Sequence, residues 1–171
     1  MSNASPSAPI AGVGAAALDG YAVYDTVPLG TVLRYCDGTP RPPERFTRKV
    51  RAWENRNGSG RLVEKSPPTL GGSTYPGGFT LYEGSYGSNG TIVMIVRRGY
   101  SIATDLRFEI VERPPVGSVR VLTRWNGRDE LQHLAPDMAA AEAWMAENRY
   151  SNLVTEMVAE DEGAARIGRA A

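Results

Sequence analysis

The chain has 171 residues, 42% of them hydrophobic and 22% charged, the profile of an ordinary soluble domain with enough apolar mass for a core. Nineteen basic side chains balance nineteen acidic ones, so net charge alone argues for no polyanionic partner. No run approaches the roughly 18 apolar residues of a membrane helix.

Residues 1–20, `MSNASPSAPIAGVGAAALDG`, are small, unpatterned and without a basic start. They read as a mobile tail and not as a secretory signal. The strand `TVLRYC` follows and is stopped by Asp37-Gly38 and by Pro40, Pro42 and Pro43. In the next stretch Phe46, Val50 and Trp53 fall at i, i+4 and i+7, with Pro43 before them and Gly58 after. This spacing predicts a helix over 43–56. A hairpin turning near Asn57-Gly58 is the competing reading, but it would put Trp53 on the face opposite Phe46 and Val50.

The glycine-rich `GGSTYPGG`, residues 71–78, lacks the Gly-Lys-Ser/Thr of a phosphate-binding loop and is followed by a strand, so it reads as a flexible loop. `FTLYEG` and `TIVMIVRR` flank a second loop, `SYGSNG`. Ile92 to Val96 is apolar on both faces, which predicts a central strand. `LRFEIVE` alternates as a half-buried strand should. `SVRVLTRW` and `DELQHLA` surround Asn126-Gly127, the strongest short hairpin signal. In the second of these, strict alternation would place His133 on the same side as Leu131 and Ala135.

`PDMAAAEAWMAENR` predicts a helix over 136–149, with Met138, Ala141, Met145 and Asn148 at helical spacing as a packing stripe. `LVTEMV` is a final strand. The expected fold is therefore α+β, a mainly antiparallel sheet of about six to eight strands. Residues 21–160 form one domain, with a ββαβ subunit over 116–160, and residues 161–171 form a flexible tail.

Chemistry is sparse. His133 and Cys36 are the single histidine and cysteine, which excludes an intrachain disulfide and a common Cys/His metal site within one chain. The lone cysteine suits a cytoplasmic setting. No nucleophile signature surrounds Cys36 or His133. Glu83, Asp105, Glu109 and Glu112 are plentiful carboxylates without a legible pairing. No cofactor is expected, and the reading favours a protein that is not an enzyme.

One feature stands out. From Arg34 to Lys65 nine basic residues meet four acidic ones, whereas from Asn126 to Ala171 four basic residues meet nine acidic. The basic region is centred on Arg41, Arg45, Arg48, Lys49, Arg51, Arg56 and Arg61, with Trp53 among them. Clustered cations with an aromatic suit contact with nucleic acid or a nucleoprotein. The competing reading is a solvated face paired with the chain's own acidic C-terminal part. Seventeen arginines against two lysines also fit a GC-rich coding sequence. That composition suits a bacterial or phage accessory protein. A protein-interaction or assembly module, in its simplest form a homo-oligomer, is the alternative function, and an enzyme without a familiar motif is the next.

Overall fold

The computed structural model of the protein describes residues 17–69, 75–88 and 91–163. Within them the chain is α+β, with eight strands in one antiparallel sheet. In chain order these are α1 (Gly20–Thr26), β1 (Val32–Cys36), α2 (Thr47–Glu54), β2 (Gly58–Ser66), β3 (Gly78–Ser88) and β4 (Thr91–Ser101). They are followed by β5 (Arg107–Glu112), β6 (Val119–Trp125), β7 (Arg128–Ala135), α3 (Met138–Glu147), β8 (Leu153–Met157) and the one-turn α4 (Glu160–Gly163).

The sheet forks at β2. One edge of β2 pairs with β3 from Arg61 to Ser66. The other edge pairs with β1 over its first half, then meets β7 through the single pair Glu64↔Glu130. One arm is therefore β1 and β5, and the other is β7, β6 and β8. A bulge between Leu62 and Glu64 accompanies the fork. It lets consecutive residues serve different cores, Leu62 in one and Val63 in another.

The main core lies inside the curve of β1, β2, β3 and β5. Leu33, Tyr35, Leu62, Phe79, Leu81 and Phe108 meet there, with Phe79 and Phe108 edge to face at 5.3 Å. α1 closes this core with Val23 and Val27, both buried. Its N-terminus is capped by Asp19, whose carboxylate accepts from the Ala22 amide at 2.8 Å. Residues 17–20 thus belong to the folded unit, not to the tail: Leu18 bridges to Phe108 and packs on the core. The rest of the N-terminal stretch, residues 1–16, lies outside the described residues.

The second arm is the ββαβ unit. Asn126 and Gly127 both adopt positive φ, as a two-residue hairpin turn requires, and join β6 to β7. α3 then crosses over to β8, which pairs with β6. α3 is capped by Asp137 and buries Ala141 against Val119, Val121 and Ala135. Beyond β8, Val158 is buried and Glu162 is bound to Arg120. The docked chain therefore runs past position 160, and residues 164–171 lie outside the described residues.

Several local expectations change. The segment 43–56 is helical over α2, but the second arm of the competing hairpin also exists, as β2. It pairs with β1 and β3 instead of folding back on α2. β4 is an edge strand, not a central one, and Met94 and Ile95 are more than half exposed. A run of consecutive apolar residues is thus compatible with an exposed edge as well as with a strand covered on both faces. β3 runs to Ser88 and β4 begins at Thr91, so most of `SYGSNG` is strand. Residues 70–74 of the other glycine-rich segment lie outside the described residues.

His133 does not share a face with Leu131. The β6–β7 register pairs Val121 with His133 but Leu122 with Leu131, leaving Gln132 as a bulge. The extra residue flips the alternation. Leu131 joins Val63 and Leu122, while His133 stacks on Trp144 of α3, ring centroids 5.0 Å apart.

Candidate functional site

Helix α2 buries none of its residues. Its apolar side is only half covered: Phe46, the N-cap, is 41% exposed, and Val50 and Trp53 are half-buried. Local hydrogen bonds tether it in place. The Trp53 indole N–H donates to the Thr39 carbonyl at 2.8 Å. The Asn57 side-chain amide donates to the Trp53 carbonyl at 2.9 Å, and Arg98 donates to the Asn55 carbonyl.

The eight residues singled out from the sequence divide into three groups. Arg41 and Arg56 are already engaged. Arg41 pairs with Glu54 at 3.5 Å and covers the Trp53 ring. Arg56 bridges Asp37 at 3.2 Å and Asp105 at 2.5 Å. Hydrogen bonds from the Thr39 hydroxyl and amide, then from Asn57 and Arg56, hold the Asp37 carboxyl far below the usual carboxylate range. Trp53 is a tether and only half-buried, so one edge of its ring is committed to the fold.

Arg45, Arg48, Lys49 and Arg51 form the second group. All four are exposed, and none has a carboxylate partner among the described residues. Arg45 and Lys49 lie over the Phe46 ring at 4.8 and 5.2 Å, a cation–π arrangement that orders their heads without neutralising them. Arg48 and Arg51 line a shallow depression beside them with Arg41 and Glu44. The acidic C-terminal part does not reach this helix in any described ion pair. Its carboxylates serve Arg97, Arg120 and Arg124 instead.

Arg61 stands alone. It lies on β2, half-buried, and donates to the Gly30 carbonyl at 2.7 Å. It lines a cleft of about 400 Å³ between the β2–β3–β4 face and β7.

The family model described as Uncharacterised conserved protein UCP036055 matches residues 18–162. The chain belongs to that family. The match begins at Leu18, which bridges to β5, and ends at Glu162, which Arg120 binds. It therefore spans the folded unit, including α2 and the cleft. No curated protein and no solved structure matches the chain.

The remaining candidates do not converge. Cys36 lines a depression beside Trp53 and Asn57, whereas His133 lines the cleft. Glu83 accepts from the Tyr35 hydroxyl at 2.6 Å and pairs with Arg98. Asp105 binds Arg56 and Glu109 pairs with Arg34. Among the described residues, no three His, Cys, Asp or Glu side chains are grouped to hold a metal ion. Nor is any helix there long and apolar enough to cross a membrane. Sequence reasoning missed Tyr82 and Arg97, the neighbours of Arg61. They come from strands more than twenty positions away, and only the sheet register aligns them.

Proposed function

We propose that this protein is a non-enzymatic binding protein that contacts nucleic acid through α2, with Arg45, Arg48, Lys49 and Arg51 as the phosphate-facing groups. The observation that supports this most directly is the set of four exposed cations on a helix that buries nothing. A helix that contributes little to the core and carries unneutralised charge is placed to meet a polyanion. Phe46, more than a third exposed among those cations, adds a ring on which an unpaired base can stack. Arg41 and Arg56 shape the surface through their own ion pairs, and Arg61 belongs to another face. The setting proposed for this activity is the cytoplasm, in keeping with a chain whose single cysteine can form no intrachain disulfide.

Binding of fluorescent single-stranded and duplex oligonucleotides, followed by anisotropy across a salt series, tests the reading. Four phosphate contacts predict a log–log salt slope of about −3 to −4 on duplex. Replacing Arg45, Arg48, Lys49 and Arg51 together by alanine should remove most of the binding and flatten the slope. Thermal stability should change little, because exposed residues away from caps and cores typically shift it by about 0.5 kcal/mol or less. An unchanged affinity in the quadruple variant rules the proposal out. A second reading, an assembly module, is supported by the exposed Met94 and Ile95 on edge strand β4. It requires a nuclease-resistant oligomer in light scattering.

A further inference from the structure

We propose that the cleft between the β2–β3–β4 face and β7 binds a small organic anion, a carboxylate carried on a flat apolar body.

The floor is a cross-strand row. Arg61 is opposite Tyr82, and Tyr82 is opposite Arg97, so the three side chains share one face as direct neighbours. The two arginines differ. Arg97 is neutralised by Glu130 of β7. Arg61 has no carboxylate partner among the described residues, and a single hydrogen bond, from Nη1 to the Gly30 carbonyl, occupies part of its fork. A half-buried guanidinium with unused donors is the group that a carboxylate pairs with bidentately. The charged side chains lining the cleft are Arg61 and Arg97, and Arg97 is paired with Glu130, which leaves a single uncompensated positive charge.

The walls suit an apolar body. Val63 and Leu131 are buried side chains that also line the cleft. On the far side, Tyr150, Trp144 and His133 form a continuous stack. The Trp144–Tyr150 centroids are 5.8 Å apart, and the planes within the stack tilt by 8° or less. His133 and Tyr150 both line the cleft. Burial lowers the His133 pKa, so near neutral pH the imidazole adds no second positive charge and offers one donor and one acceptor. The volume, about 400 Å³, lies within the range of small-molecule sites. This site is separate from the α2 surface and stands whether or not α2 binds nucleic acid.

Benzoate is the probe, with benzyl alcohol as its neutral counterpart and inorganic phosphate as the anion without an apolar body. Amide and side-chain NMR shifts of the intact chain report binding. The expected result is saturable shifts with benzoate at millimolar concentration, focused on β2, β3 and β7, with both comparison compounds at least about tenfold weaker. Arg61→Gln should lose about tenfold or more in affinity, and Arg61→Lys should recover part of it. Ser85→Trp, a change at an exposed position on the cleft, should block the site without touching Arg61. This second variant keeps the test valid should Arg61→Gln unfold the chain. Absence of saturable shifts with benzoate overturns the proposal. So does equal binding of benzyl alcohol or phosphate, or unaltered benzoate binding by Ser85→Trp.

Discussion

At the scale of single residues, Arg120 is the most constrained charge in the described structure. Its side chain is 2% exposed. It donates to the Leu29 carbonyl, to Glu156 at 2.9 Å and to Glu162 at 2.6 Å. Arg120 thereby ties α4 and the α1–β1 connection to β6. Arg120→Ala should cost at least about 1.5–3 kcal/mol, the range for hydrogen bonds to charged groups, because it removes a buried guanidinium from acceptors that water only partly reaches, and urea unfolding at neutral pH measures this. The pH dependence follows from Glu162, whose pKa is lowered first by the Arg120 hydrogen bond. A carboxylate with a depressed folded pKa contributes stability that is complete above its unfolded value, near 4.5, and is lost as pH falls through the folded one. The wild type should therefore lose more stability than Arg120→Ala below that point, with the two curves converging in acid. Gly58 shows a different constraint at the same scale. Its φ is ordinary, but a Cβ there would lie 2.6 Å from the Tyr35 hydroxyl. The glycine that marks a helix stop in the sequence is needed for space against a core tyrosine.

Among the elements, α2 differs from α1 and α3 in being held by polar tethers instead of burial. α1 buries Val23 and α3 buries Ala141, whereas α2 buries nothing. Local stability follows buried contacts. Amide hydrogen exchange should therefore show α2 opening well below the global unfolding free energy, with protection at least about tenfold lower than in β1 or β6. Equal protection in α2 and β6 would mean that the helix is coupled to the core through contacts other than those described. A loosely held basic helix is also one whose side chains can adjust to a phosphate backbone at little cost to the fold.

For the whole molecule, the fork at β2 is the organising feature. Only one backbone pair, Glu64↔Glu130, joins β2 to β7, and it sets two carboxylates opposite each other, which is unfavourable in itself. Arg97 and Arg128 offset this by pairing across the junction. The apolar seam of Val63, Leu122 and Leu131 is expected to carry most of the cohesion, since exposed ion pairs contribute about 0–1 kcal/mol. Leu122→Ala should cost about 2–5 kcal/mol, while Arg128→Gln should cost less than about 1 kcal/mol. Comparable losses in denaturant unfolding of the two variants would contradict this division. The same fork creates the cleft, because β7 leaves the β2 edge beside the outer face of β3 and β4.

Legible in the sequence were the α+β class, most strands, a helix over 136–149 that forms from Met138 to Glu147, the Asn126-Gly127 hairpin and the concentration of cations between positions 41 and 61. These are local properties: side-chain period, cap and turn chemistry, and charge along the chain all act within a few residues. The sequence offered β2 only as an arm of the competing hairpin and left α1 unassigned, since Val23 and Val27 become anchors only against a core supplied by distant strands. Tertiary structure alone decided that β4 lies at an edge, that Gln132 bulges and turns His133 away from Leu131, and that four cations stay unpaired while Arg41 and Arg56 find carboxylates. Strand order, register and ion pairing depend on groups far apart in sequence, and a one-residue bulge reverses every inward and outward assignment that alternation makes.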